Sequence, residues 1–224
     1  RMSGDGTPIP PIVDLMLARV DLLSGRMFPM EAGYEPTLAQ SFLARARARG
    51  CGALEAIYDH LSASDGSNLI HFPIFNFNDG SLEVVREMLG HPRALYGLSD
   101  GGAHVGTLCD ASTTTFMLAH WCRDRSTGRL APETAVEMLT HRNARHLGLT
   151  DRGLIAPGLR ADLNLIDPLR LACGTPRLVH DLPAGGKRLL QIGEGYLGTW
   201  VAGEAVALEG TVQEARPGRL VRLR

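Results

Sequence analysis

Residues 94–106 read ALYGLSDGGAHVG and place a carboxylate closely after a short apolar run. The apolar run 94–98 predicts a short buried strand, and Asp100 follows it almost at once. In parallel α/β folds, catalytic groups gather at the carboxyl ends of strands, because the loops there vary while the strands hold their roots in place. Asp100 is therefore the first candidate catalytic residue. The alternative is an aspartate that caps a turn beside a surface histidine.

The residues after Asp100 are suited to a ligand pocket. Gly101 and Gly102 allow the backbone to approach a ligand closely or to adopt positive φ. His104 follows within reach of the same pocket. Upstream, His71 lies inside an apolar segment, where a hydrogen-bonded core histidine is expected.

A second candidate strand precedes this region and predicts a βαβ unit. A strand over 69–75, a helix through Leu89 and the strand at 94–98 follow one another, which implies parallel strands. Asn76 and Asn78 would then emerge at the same carboxyl edge as the candidate aspartate. Neighbouring parallel strands lie about 4.8 Å apart, so the two loops are expected on the order of 10 Å from each other.

Composition excludes several function classes. The 224 residues carry 23 Lys and Arg against 24 Asp and Glu, which argues against nucleic acid or an anionic membrane as a partner. The sequence contains no apolar run of the roughly 18 residues that a membrane helix needs. The four cysteines form no CxxC pair, so neither a zinc ribbon nor a disulfide framework is indicated. A cytoplasmic location is expected.

The predicted helices lie before residue 150, and most of the predicted strands lie after it. Four further helices are predicted over 36–49, 53–61, 112–125 and 132–147. The first should stop at Gly50, and its arginines Arg45, Arg47 and Arg49 form either a solvated helix face or a phosphate patch. Past residue 150, alternating segments predict a small antiparallel β unit with strands over 161–167, 189–192, 196–202, 205–208 and 219–222. Ala202-Gly203 is typical of a hairpin turn.

Several separate motifs resemble one known superfamily. NARHLGL (143–149), DRGLIAPG (151–158), RADL (160–163) and LID (165–167) resemble the barrel-to-β-domain exit of the amidohydrolase superfamily. FNFNDGSLEVVREML (75–89), SDGGAHVGTLCD (99–110) and HDLPAGGKRL (180–189) resemble its N-acyl-D-amino-acid deacylase (D-aminoacylase) branch. The resemblance covers nearly all of residues 65–224.

The resemblance implies an α/β fold, namely the C-terminal part of a (β/α)8 (TIM-like) barrel followed by a small β-sandwich-type segment. The expected domains are a helical insertion and loop region over 1–64, the last βα units of the barrel over 65–150 and the small antiparallel β domain over 151–224.

The implied activity is zinc-dependent cleavage of the amide bond of N-acyl-D-amino acids, so the resemblance also implies a small-molecule substrate. In the family this aspartate, here Asp100, takes a proton from a zinc-bound water and later passes one to the leaving amine. His104 would orient the substrate. Asn76 and Asn78 would line the rim of the pocket.

The chain departs from the family in its metal ligands. It contains no HxH motif, so the zinc ligands are expected upstream and the 224 residues alone are expected to be inactive. The expected partner is the remainder of a parent chain or a second copy. Two alternatives stay open: a non-catalytic amidohydrolase-like binding or assembly module, and a cyclic-amide amidohydrolase.

Overall fold

The computed structural model describes residues 11–63, 65–77, 79–97, 99, 106 and 110–221. The chain forms two compact units, the first ending at Glu87 and the second beginning at Met88. The helices are α1 (Pro11–Ala18), α2 (Val20–Leu23), α3 (Phe42–Arg49), α4 (Ala53–Ser62), α5 (Glu83–Gly90), α6 (Thr113–Phe116), α7 (Pro132–Leu139) and α8 (His141–His146). The strands are β1 (Phe28–Pro29), β2 (Ile70–His71), β3 (Leu163–Ile166), β4 (Ala172–Cys173), β5 (Arg177–Leu182), β6 (Gly186–Leu190), β7 (Gly193–Glu194), β8 (Tyr196–Val201), β9 (Glu204–Leu208) and β10 (Thr211–Val212).

The first unit is built on the pair α3 and α4. Its buried cluster consists of Phe42, Ala46, Ala56 and Ile57. Gly50 ends α3 at φ 71°, as predicted, because glycine enters the left-handed region without a Cβ clash. The predicted start at residue 36 is wrong. A separate 3-10 turn, Leu38–Gln40, comes first, and the extended Ser41 then caps α3 by accepting a hydrogen bond from the Ala44 amide at 3.2 Å.

The strand predicted over 69–75 is much shorter in the structure. Only Ile70–His71 forms a strand, and this strand pairs antiparallel with β1. Pro73 has no N–H to donate, so the ladder cannot continue through it. The carbonyls of Pro73 and Ile74 instead accept hydrogen bonds from the Arg26 guanidinium.

The second unit begins with helices around a buried tryptophan. The helix predicted over 112–125 is confirmed as α6 continued by a π-helix, Met117–Asp124, which buries Trp121 to 2% exposure. The helix predicted over 132–147 breaks into α7 and α8 at Thr140, whose backbone leaves the helical region at φ −125° and ψ −86°. Pro132 lies in the first turn of α7, as expected.

The antiparallel β character after residue 150 is confirmed. β10, β9, β8 and β3 form a four-stranded sheet in that order, and β4–β7 and β5–β6 are two-stranded pairs. The predicted hairpin turn joins β8 to β9, with Ala202 at φ 52° and Gly203 at φ 83°. The strand predicted over 219–222 is wrong for its described residues, 219–221, which have no regular structure.

The predicted parallel βαβ unit is also wrong for the part of the chain that the structure describes. Residues 94–97 form no strand, and every strand pairing among the described residues is antiparallel. The backbone carbonyl of Tyr96 instead accepts a hydrogen bond from the Asn143 side-chain amide at 2.6 Å. The described residues are mixed α/β with small sheets and show no closed barrel. None of their helices is long and apolar enough to cross a membrane.

Candidate functional site

Of the predicted site residues, the structure describes only Asn76. The others lie outside the described residues: Asp100, His104, Asn78, Gly101 and Gly102. Their predicted convergence on one cleft therefore stays a prediction. The structure does show how the chain is held beside each of the two predicted loops.

The loop that carries Asn76 is anchored on both sides. Before Asn76, Arg26 Nη2 donates hydrogen bonds to the carbonyls of Pro73 and Ile74 at 3.1 Å and 3.2 Å. After it, Phe77 is 1% exposed and packs edge to face on Phe28, with ring centroids 5.9 Å apart. Asn76 itself is exposed and left-handed at φ 58°, a conformation that asparagine tolerates better than most residues. The loop therefore presents the Asn76 side chain to solvent from a fixed base.

The exit of the same loop is fixed by contacts with an earlier segment of the first unit. The backbone N–H of Leu82 donates to the Glu35 carboxylate at 2.8 Å. Gly80 has φ 69°, and a Cβ added there would lie 2.7 Å from Leu38 Cγ. Only glycine fits this turn without displacing a neighbour, so the loop has little freedom at this end.

Two buried nitrogens lie at the base of this loop. His71 Nε2 and Arg26 Nε are buried and have no hydrogen-bond partner among the described residues. Burial lowers the pKa of His71 below the ordinary histidine value, while a hydrogen bond to the Tyr34 backbone opposes that shift. The neutral imidazole is therefore the favoured form. Both nitrogens retain hydrogen-bonding capacity for a polar group.

Sequence reasoning missed Arg26 and described His71 only partly. Arg26 is the single basic residue between Ser24 and Phe28. The only feature of the sequence that could have indicated its role is an arginine standing alone in a segment rich in Gly, Met and Pro. His71 was expected to be a hydrogen-bonded core histidine. Its Nε2 has no partner in the described part of the chain, while the Tyr34 backbone acts on its pKa.

The segment that leads to Asp100 is held within the second unit. The Tyr96 hydroxyl donates to the Thr113 carbonyl at 2.8 Å, and the Asn143 amide donates to the Tyr96 carbonyl at 2.6 Å. Burial raises the pKa of Tyr96, so its hydroxyl stays protonated and available as a donor. Asn143 thus links the NARHLGL motif to the backbone four residues before the candidate aspartate.

A second set of contacts joins the same helical region to the β strands. Thr115 is 4% exposed, and its hydroxyl lies 2.8 Å from the Tyr196 hydroxyl at the start of β8. Gln191 donates to the Gly174 carbonyl at 2.7 Å and accepts a hydrogen bond from Ser112. These bonds tie α6 to the β part of the same unit.

The described residues do not fit a zinc site. They contain no group of three or more His, Cys, Asp or Glu side chains that could hold a metal ion. Zinc prefers three or four such nitrogen, sulfur or oxygen ligands in close, near-tetrahedral geometry. The described part of the chain therefore supplies candidate pocket residues but no metal centre.

Comparison with known proteins places this geometry in a family. Residues 46–207 match the amidohydrolase family. Imidazolonepropionase from Ruegeria sp. (strain TM1040) is 35% identical over 112 residues, which cover 49% of this chain and 26% of that protein. N-acyl-D-aspartate deacylase from Alcaligenes xylosoxydans xylosoxydans is 33% identical over 92 residues, which cover 41% of this chain and 17% of that protein. Well under two thirds of either relative is therefore covered. No solved structure matches.

Proposed function

This chain belongs to the amidohydrolase family, and we propose that it carries the catalytic aspartate and part of the pocket of a hydrolase that cleaves N-acyl-D-amino acids. The observation that carries the proposal is the family match over 46–207, which includes Asp100 and the motifs around it. The likeness to N-acyl-D-aspartate deacylase favours an acylated amino acid as the substrate. Activity and substrate are both part of the proposal, because only a minor share of each relative is covered.

In the proposed reaction, Asp100 is the general base and then the general acid. Its carboxylate accepts a proton from a water molecule as the water oxygen bonds to the amide carbon. The C–N bond then breaks, and Asp100 returns the proton to the leaving nitrogen. The products are the free carboxylic acid and the D-amino acid. Such proton transfer contributes roughly 10²-fold to 10⁴-fold to rate.

The neighbouring residues have binding roles in this proposal. Gly101 and Gly102 let the backbone approach the substrate, and His104 orients it. Asn76 and Asn78 line the rim. The anchored base of the Asn76 loop supports its role, because a hydrogen-bonding side chain on a fixed base loses less freedom when it binds a ligand.

Zinc is the metal that the resemblance implies, and the proposal takes its ligands from outside the described residues. A longer chain that contains this one would supply them. Since the described residues do not fit zinc, no step above is routed through the metal.

A cyclic-amide hydrolase is the second candidate. The likeness to imidazolonepropionase favours it, since that match is longer and slightly higher in identity than the deacylase match. The two candidates differ in whether the scissile amide lies in a ring.

A substrate panel separates these candidates. The natural gene product that contains residues 1–224 would be assayed with N-acetyl-D-aspartate, N-acetyl-L-aspartate and imidazolonepropionate. The proposal expects release of D-aspartate, with the L-isomer turned over at least about tenfold more slowly, a difference of about 1.4 kcal/mol in transition-state binding. Turnover of imidazolonepropionate alone would establish the second candidate. Turnover of none of the three would overturn both and favour a non-catalytic module.

A further inference from the structure

The helix pair α3 and α4 of the first unit encloses a groove that the proposed hydrolase chemistry does not use. Its volume is about 510 Å³, within the range of roughly 300–1,000 Å³ that is usual for small-molecule pockets. Arg45 and Arg49 line it from α3, and Asp59 lines it from α4. The groove therefore combines the size of a ligand site with charged groups on both walls.

The charges in the groove are not balanced. Arg49 is paired with Asp59, and the two side chains are 49% and 44% exposed. The Arg45 guanidinium has no hydrogen-bond or ion-pair partner among the described residues, whereas the Arg45 backbone N–H donates to the Ser41 carbonyl within α3. One guanidinium thus remains available after the internal pair is formed, and the groove carries an excess positive charge.

The base of the groove is apolar and fixed. Phe42 and Ala56 line it and are 1% and 4% exposed, because they belong to the core between the two helices. His60 also lines the groove. Its Nε2 lies 3.1 Å from the Leu69 carbonyl, and this contact holds the imidazole ring in place. The apolar lining residue that a ligand would contact is therefore Ala48 of α3, which is exposed beside the free guanidinium.

We propose that this groove binds a small carboxylate that carries an apolar group. The planar guanidinium of Arg45 presents two parallel N–H groups, which match the two oxygens of one carboxylate. The apolar group of the ligand would rest against Ala48, which lines the groove and is exposed. A dianionic phosphate fits less well, since Asp59 would repel its second charge. The proposal stands on the groove alone and is independent of the hydrolase proposal.

The position of the arginines on α3 provides a matched control. Arg45, Arg47 and Arg49 alternate along the helix, and Arg47 does not line the groove. Arg47 is exposed like Arg45, so Arg47→Gln makes the same chemical change on the same helix outside the groove. A general effect of lost positive charge would appear in both variants, whereas a groove effect appears only in Arg45→Gln.

The test is a titration of the full 224-residue chain with phenylacetate, followed by NMR shifts of the backbone amides of α3 and α4. Phenylacetate should bind at the groove, Arg45→Gln should weaken binding at least about fivefold, and Arg47→Gln should leave it within about twofold. Asp59→Asn should tighten binding several-fold, because it removes the competing carboxylate and frees Arg49. A purely structural role for these side chains would not produce that gain.

Neutral and phosphate analogues complete the test. Phenylacetamide, which lacks the charge, should bind at least about fivefold more weakly than phenylacetate. Equal binding of the amide, equal weakening by the two arginine substitutions, or no shifts in α3 and α4 would overturn the proposal. Tighter binding of phenyl phosphate than of phenylacetate would overturn the carboxylate assignment. Unchanged melting temperatures would show that the variants fold.

Discussion

The hydrogen bond from Asn143 to the Tyr96 carbonyl should stabilise the second unit measurably. Asn143→Ala removes the donor and leaves a half-buried carbonyl without its 2.6 Å partner. Leaving such an acceptor unpaired costs about 1–3 kcal/mol, and the better helix propensity of alanine within α8 returns up to about 0.5 kcal/mol. The expected loss in the free energy of unfolding is therefore about 1–2 kcal/mol.

Tryptophan fluorescence during urea unfolding measures this loss selectively. The only two tryptophans of the chain, Trp121 and Trp200, lie in the second unit, so their signal follows that unit. Arg145→Ala is the matched control, because Arg145 is exposed on the same helix, and its loss should stay under about 0.5 kcal/mol. A value for Asn143→Ala no larger than the control would refute the claim that this bond holds the segment before Asp100.

Two further predictions concern the first unit. Gly80→Ala should lower the free energy of unfolding by about 1–2 kcal/mol, measured by circular dichroism in urea, because its φ is 69° and the new Cβ would lie 2.7 Å from Leu38 Cγ. Gly90→Ala, where the added Cβ meets open space, should cost nothing, and equal losses would contradict the strain argument. Burial depresses the pKa of His71 in the folded state, so the folded protein favours the neutral imidazole. The stability that the neutral imidazole contributes is therefore complete above the unfolded-state pKa of about 6.5. It is lost as the pH falls from there through the lower folded-state pKa. His71→Gln should flatten the fall in melting temperature between about pH 7.5 and pH 5, and an unchanged slope would count against this role of His71.

Local sequence signals predicted the local structure well. Gly50 ends α3 as expected, because a left-handed residue after a helical pattern has a chemical signature in the sequence. The Ala202-Gly203 turn is likewise encoded by its own residues. The start of α3 was placed too early, since the cap at Ser41 competes with the helical pattern of the residues before it.

Long-range pairing could not be read from the sequence. The apolar residues 94–97 resemble a strand, but the carbonyl of Tyr96 is bound by Asn143, 47 positions along the chain, and no local pattern encodes that contact. The hydrogen bonds from Arg26 to the carbonyls of Pro73 and Ile74 were missed for the same reason. Of the candidate site, the sequence indicated Asn76 correctly as a loop residue.

The catalytic role of Asp100 is tested most directly by Asp100→Asn in the natural gene product that contains this chain. Asparagine keeps the size of the side chain but cannot accept the proton, so turnover of N-acetyl-D-aspartate should fall by roughly 10²-fold to 10⁴-fold. Asp21→Asn, an exposed aspartate in the first turn of α2, should retain wild-type turnover. Metal content and melting temperature should match the wild type in both variants. Wild-type turnover by the Asp100→Asn enzyme would contradict the assignment of this residue as the catalytic base.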